Sequence, residues 1–226
     1  MGKRGPKPGF NTKKVISEKW TSNLAYAIGL IATDGCVARH VSLIDLTSKD
    51  REQLENFNKA VGVEFPISRK SSGAGKMYLR VQFKSVLFYN FLLSIGITPA
   101  KSKTLGILKI PEKYFFHFLR GAFDGDGSTY SYWDPRWRSS FMFYVCFASA
   151  SPSFLSWLQD TIYKKLGVSG HVTHSTKPTG SLFQLKYAKK EGLRVIRAMY
   201  RNSKKMYLSR KRLKIEKMLS IIGERL

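Results

Sequence analysis

One nine-residue pattern occurs twice in the chain, and it limits the fold more than any other feature. The first copy is Ala27-Ile28-Gly29-Leu30-Ile31-Ala32-Thr33-Asp34-Gly35. The second is Leu119-Arg120-Gly121-Ala122-Phe123-Asp124-Gly125-Asp126-Gly127. Each reads as the end of an apolar helix with small residues at its third and seventh positions, then Asp-Gly. Gly29 and Thr33 lie four apart and share a helical face, as do Gly121 and Gly125. Small residues at that spacing let two helices approach more closely than the usual ~8–10 Å. If the copies pack on each other through Gly29 and Gly121, Asp34 and Asp126 meet at one end of the pair. Two carboxylates brought together there repel unless a proton or a cation lies between them.

The chain around the copies repeats as well. Each half reads as helix, two strands, helix, two strands, helix. In the first half, a helix capped by Thr21 or Ser22 is followed by strand from Val37 to Thr47, turning near Arg39-His40. Helix from Lys49 to Ala60, strand from Val63 to Lys70 and strand from Lys76 to Lys84 come next, then helix from Val86 to Ile95. In the second, Lys113 to Phe123 is helix, Gly127 to Ser131 and Phe141 to Ser149 are strands, and Pro152 to Leu166 is helix. Val168 to Thr176 and Ser181 to Ala188 are strands, with helices at Glu191 to Tyr200 and Tyr207 to Ile222. Asp34 and Asp126 are 92 positions apart, whereas Gly62 and Gly167, and also Gly75 and Gly180, are 105 apart. The difference reads as one insertion of 13 residues at the Trp133–Arg138 hairpin tip, and a constant offset on either side marks an internal repeat. Sequential strands usually pair, so each half is expected to carry a four-stranded antiparallel sheet. The fold class is therefore α+β, in two pseudo-symmetric halves: 1–14 a basic arm, 15–103 the first half, 104–112 a linker and 113–226 the second half.

The charge points to a partner. Lys and Arg number 39 against 15 acids in 226 residues, a net charge of +24. Charge of that size opposes compaction, and a polyanion is the usual reason to carry it. No apolar run approaches the ~18 residues of a membrane span, so no membrane association is expected. The polar, basic N-terminus is not a secretory signal. Two cysteines, Cys36 and Cys146, form no zinc or disulfide pattern, which suits a reducing intracellular compartment. Along Lys76–Lys84, Met77, Leu79, Val81 and Phe83 face one way. Lys76, Tyr78, Arg80, Gln82 and Lys84 face the other, with three cations and no acid. An antiparallel ribbon fits the DNA major groove, where Arg reads guanine and Gln reads adenine. Gln184 and Lys186 are the matching outward positions of the second half. Arg136 and Arg138 lie at the aromatic hairpin tip.

The two Asp-Gly helix ends resemble the LAGLIDADG motif, and the whole chain resembles a single-chain, two-motif LAGLIDADG homing endonuclease. The first copy departs at its sixth position, where Ala32 replaces Asp; the eighth-position Asp is present in both. The resemblance implies a saddle of two sheets draped along double-stranded DNA by a monomer with an internal pseudo-dyad. It implies hydrolysis of one phosphodiester on each strand, with Mg²⁺ as cofactor and Mn²⁺ or Ca²⁺ able to occupy the same site. Asp34 and Asp126 would be the metal ligands, helped by the carbonyls of Thr33 and Gly125. The lysine such sites carry near the attacking water matches Lys101 and Lys211, with Lys103 and Lys205 as neighbouring alternatives. The Gln or Asn that orders that water matches Ser48 and Ser149. Lys49 beside Ser48 has no cationic counterpart in the second half, where Ala150 stands, so the two sites are expected to be unequal. Asp124 reads as a cap or a contact to the other half. His171 and His174 fall on opposite strand faces and make no zinc site, and His117 belongs to the helix interface. An intron RNA maturase, or a cleavage-inactive DNA-binding protein of the same fold, is the alternative function.

Overall fold

The computed structural model describes residues 16–71, 75–177, 180–203 and 205–226. The N-terminal arm, the tip of the 71–75 turn, Pro178-Thr179 and Lys204 lie outside them. The first half runs α1 (Ser22–Thr33), β1 (Gly35–Val37), β2 (Leu43–Ser48), α2 (Arg51–Val61), β3 (Ile67–Ser71), β4 (Met77–Lys84) and α3 (Val86–Ser94). The second runs α4 (Phe115–Asp126), β5 (Gly127–Trp133), β6 (Phe141–Ser149), α5 (Pro152–Leu166), β7 (His171–Lys177), β8 (Gly180–Ala188) and α6 (Lys189–Tyr200). A further helix, α7 (Ser209–Ile221), follows. Both sheets are antiparallel and share one strand order, β1-β2-β4-β3 and β5-β6-β8-β7. The class is α+β, and the order expected for each half is the order observed.

Local chemistry accounts for the element ends. The Thr21 hydroxyl accepts the Leu24 amide at 3.0 Å and starts α1, and Ser85 does the same for α3. α2 and α5 both stop at a left-handed glycine, Gly62 (φ 69°) and Gly167 (φ 61°), a conformation that costs glycine nothing. Pro66 ends the approach to β3, which starts one residue later.

The repeat offset has two sources rather than one. Ser48 and Ser149, the ends of β2 and β6, are 101 apart, 9 more than the 92 between the motif aspartates. The remaining 4 appear because α2 has 11 residues and α5 has 15. Thus 9 residues lengthen the first hairpin of the second half and about one helical turn lengthens its second helix. Two separate insertions and one larger insertion give the same distant offset, so spacing alone could not separate them.

α1 and α4 form the centre. Tyr26, Ala27, Ile28, Leu30 and Ile31 on α1, and Phe118, Leu119 and Phe123 on α4, are fully buried. The apolar faces of the sheets pack toward this layer through Ile44, Leu46 and Val81 on one side and Phe143, Val145 and Leu185 on the other. Along β4, Val81 and Phe83 are buried, while Met77, at the strand start, is 58% exposed. No helix among the described residues is long and apolar enough to cross a membrane. Cys36 and Cys146 are free thiols in different sheets.

Candidate nuclease centre

The helix pair is as close as backbone allows. A Cβ on Gly29 would lie 2.2 Å from the Phe118 carbonyl oxygen, and one on Gly121 would lie 2.1 Å from that of Tyr26. Further along, a Cβ on Gly125 would meet the Thr33 hydroxyl at 2.0 Å and the Asp34 carboxylate at 3.2 Å. The two helix ends are therefore side by side. Asp34 is the C-cap of α1, and Asp126 is the last residue of α4.

The carboxylates share one electrostatic environment with two lysines. Surrounding protein raises the pKa of Asp34, against the hydrogen bond from Gln53 and the charges of Lys211 and Lys101. Asp126 keeps solvent access. The protein around it and then the Asp34 charge push its pKa up to about 6, against Lys101 and Lys211. Burial lowers Lys101 and Lys211 to about 8 each. Asp34 is influenced first by the lysine of the second half, Lys211, and Asp126 first by that of the first half, Lys101. The centre is thus composite, and neither half holds it alone.

The lysines are anchored differently from expectation. Lys101 Nζ donates to the carbonyls of Ala32 at 2.8 Å and Thr33 at 3.3 Å. Lys211 Nζ lies against the carbonyls of Phe123, Asp124, Gly125 and Gly127 at 2.6–2.8 Å. Each ammonium caps the C-terminal end of its own motif helix, where the helix dipole favours a cation. Lys211 has three protons facing four acceptors and none left for water, so it acts on the carboxylates through its fixed charge. The carbonyls of Thr33 and Gly125, expected as metal ligands, accept from Lys101 at 3.3 Å and from Lys211 at 2.8 Å, and a carbonyl oxygen has a second lone pair. Lys103 and Lys205 are exposed, and neither is among the charges that act on the two carboxylates.

Ser48 does not face outward. It is buried and donates to Gln53 Oε1 at 2.8 Å, and Gln53 Nε2 donates to Asp34 at 2.5 Å. Gln53, on α2 and 2% exposed, is the amide beside the first carboxylate. Its place four residues before Phe57, on the buried edge of α2, was the one available signal. Counting from Ser149 as from Ser48, the second half has Phe154 there, also 2% exposed. Ser149 accepts the Ser151 amide at 3.0 Å, as Ser48 accepts that of Asp50 at 3.0 Å. Asymmetry between the two sites is therefore present, at Gln53 and Phe154.

Asp124 is buried between elements. It accepts the Tyr26 hydroxyl and the Leu208 amide, both at 2.8 Å, and joins α1, α4 and the start of α7. Burial holds its pKa up to about 6. Arg120, 1% exposed, donates to the Met206 and Met199 carbonyls at 2.7 and 2.6 Å and lies over the Tyr26 ring. His117 Nδ1 is 3.2 Å from Arg120. No group of three or more His, Cys, Asp and Glu side chains gathers to hold a metal among the described residues.

The sheet faces carry the remaining candidates. Tyr78, Arg80 and Gln82 line the outer face of β4, between the more exposed Lys76 and Lys84, and Lys49 lies over the Tyr78 ring. β4 itself has no acid, as its sequence shows, but β2 contributes one across the register: Asp45, opposite Gln82. Gln184 and Lys186 occupy the outer face of β8, opposite Ala148 and Cys146. At the tip, Arg136 folds back on Asp134 with contacts of 2.9–3.2 Å while remaining exposed, and Arg138 is exposed as well.

No family model matches the sequence, and comparison with curated proteins finds no match. Solved structures do match. The LAGLIDADG meganuclease I-AabMI bound to uncleaved DNA aligns with TM-score 0.59 and 11% identity, over 88% of this chain and 90% of that one. I-DmoI in complex with DNA and Mn aligns with TM-score 0.50 and 14% identity, over 80% and 97%. Full-length DUF199/WhiA from Thermatoga maritima aligns with TM-score 0.55 and 14% identity; this chain is covered over 91% and spans 61% of that one. With two matching sheets about a glycine-packed helix pair, the chain has the fold of the single-chain, two-motif LAGLIDADG homing endonucleases.

Proposed function

We propose that the chain is a site-specific double-strand DNA endonuclease that works as a monomer with an internal pseudo-dyad and requires a divalent ion, Mg²⁺ in the first place. The observation carrying this reading is the composite centre, in which the Asp34 charge acts on Asp126, both carboxylates feel the same two helix-anchored lysines, and the helix ends that carry them are in contact. The net charge of +24 and the outward Arg80, Gln82, Gln184 and Lys186 suit a duplex partner.

The donor set fits such an ion. Two carboxylates whose mutual repulsion helps to hold a pKa at about 6 are relieved by a cation between them. Oxygen ligands in small number suit Mg²⁺, which keeps several of its waters. Asp34 and Asp126 would hold it. When bound, such an ion acidifies a water and stabilises charge on the oxygens of an in-line displacement at phosphorus. The chain's own groups prepare that site. Gln53 fixes the orientation of Asp34 and is itself held by Ser48. Lys101 and Lys211, locked to helix carbonyls, present positive charge that needs no rearrangement as negative charge develops on the phosphate.

The test is digestion of a long-duplex target library with and without Mg²⁺. Discrete double-strand cuts with Mg²⁺ are expected. Asp34→Asn and Asp126→Asn are each expected to lower cleavage at least ~1,000-fold while duplex binding persists. Cleavage that survives both substitutions, or binding without any cleavage in Mg²⁺ or Mn²⁺, overturns the enzymatic reading.

A further inference from the structure

Asp45 is an acid in the middle of a face otherwise lined with cations and amides. Its side chain is about 10% exposed, so it is covered by its neighbours rather than presented to solvent. Four donors converge on it from three strands. Thr47 Oγ1 donates at 2.7 Å, Gln82 Nε2 at 3.2 Å and Lys70 Nζ at 3.4 Å, and Arg80 Nη1 lies 3.5 Å away. The second sheet has Cys146 at the corresponding place on β6, opposite Lys186. A surface approaching polyphosphate loses attraction with every acid it carries, so charge alone does not account for Asp45.

We infer that Asp45 is a specificity-determining positioning residue, which orders Arg80 and Gln82 for reading base edges in the half-site under the first sheet. This rests on the duplex-recognition reading above. What the carboxylate supplies is orientation. Gln82 donates an N–H to Asp45, which turns its Oε1 away as an acceptor and leaves its other N–H free. Without the carboxylate the amide can flip and present the opposite pattern. Arg80 is held between Asp45 and the Ser68 hydroxyl at 3.4 Å, and its side chain is still about 31% exposed. A guanidinium fixed in plane can make the paired contact to guanine that a wandering one makes only after losing rotamer freedom. Lys70, on the far strand β3, reaches over β4 to the same carboxylate, so one acid sets the arrangement of three partners on two strands.

This role predicts opposite changes in two affinities. Sites are selected from a random-sequence duplex library by the wild-type protein without divalent metal. Affinities for the enriched duplex and for unselected random duplex are then compared between wild type and Asp45→Asn, with the thermal midpoint of each recorded. Loss of the negative charge is expected to strengthen binding to random duplex roughly 3-fold, and loss of orientation to cut the preference for the enriched duplex roughly 10-fold. Adding Asp45→Asn to an Arg80→Ala, Gln82→Ala background is expected to change the preference no further. An unchanged preference in Asp45→Asn, a parallel loss of both affinities with a lowered thermal midpoint, or a further drop in the double-alanine background overturns the inference. Failure of the wild type to enrich any duplex sinks sequence recognition itself, and is distinct from enrichment that Asp45→Asn leaves intact.

Discussion

Four side chains at and beside the paired helix ends show how neighbours set the role of a residue type. Asp34 and Asp126 occupy equivalent motif positions, but among the described residues only Asp34 accepts from a side-chain amide, that of Gln53. Gln53→Leu is expected to slow cutting of one strand roughly 10–100-fold and leave the other nearly unchanged, so nicked duplex accumulates. A gel assay with each strand labelled separately reads this, and equal slowing of both strands counts against it. Asp124 differs from both, being fully buried with its pKa pushed up to about 6 from an ordinary 3.8. A raised acid favours the folded state while protonated. Its contribution is fully present below about 3.8 and is lost as pH rises through about 6. Asp124→Asn removes the charge, so its thermal midpoint relative to wild type is expected to improve between pH 5 and pH 7.5. The rise from 3.8 to about 6 is worth roughly 3 kcal/mol in all, of which roughly 1.5 kcal/mol falls between pH 5 and pH 7.5. Calorimetry at the two pH values checks the sign.

At the level of elements, the α1–α4 contact carries the most information. Ridge-and-groove packing gives way to backbone contact because Gly29 and Gly121 have no side chain. The atoms that a new Cβ would strike are main-chain atoms, carbonyl oxygens nearest, which move only if a whole helix moves. Gly29→Ala is therefore expected to cost at least about 2–3 kcal/mol in urea unfolding, although alanine is the better helix former. The same displacement would separate Asp34 from Asp126, so cleavage should fall further than stability alone explains. A variant of unchanged stability would show that the helices have slack. Motif pattern made this element pair legible, since small residues four apart have one geometric use. The hairpin and helix insertions were not legible, because an offset measured across both returns only their sum.

Across the whole molecule, the start of α7 in the second half docks on the start of α2 in the first. Arg210 pairs with both oxygens of Asp50 at 2.7–3.1 Å, the Ser209 amide meets Glu52 at 3.0 Å, and Asn56 donates to the Tyr207 carbonyl at 2.8 Å. These contacts are unequal in weight. Asp50 and Arg210 are 29% and 58% exposed and screened by solvent, so Asp50→Ala is expected to cost under ~1 kcal/mol. Asn56 is 5% exposed, and Asn56→Ala strands a carbonyl at the junction, for roughly 1–3 kcal/mol. Denaturant midpoints of the two variants test the ranking, and a larger loss for Asp50→Ala would reverse it.

The sequence by itself determined the repeat, the order and approximate limits of the elements, a four-stranded antiparallel sheet in each half and the meeting of the motif helices, but not the strand order, in which β2 pairs with β4 and β6 with β8 rather than with the next strand in the chain. Those follow from periodicities of two and near four residues, which the chain states locally. Only the tertiary structure decided how polar side chains were partnered. Lys101 and Lys211 cap helix ends 69 and 88 positions away, Gln53 reaches Asp34 across 19, and Asp45 gathers donors from across the sheet. Such partnerships are fixed by distance and direction between elements, and no pattern along the chain encodes which of many lysines or amides will be nearest.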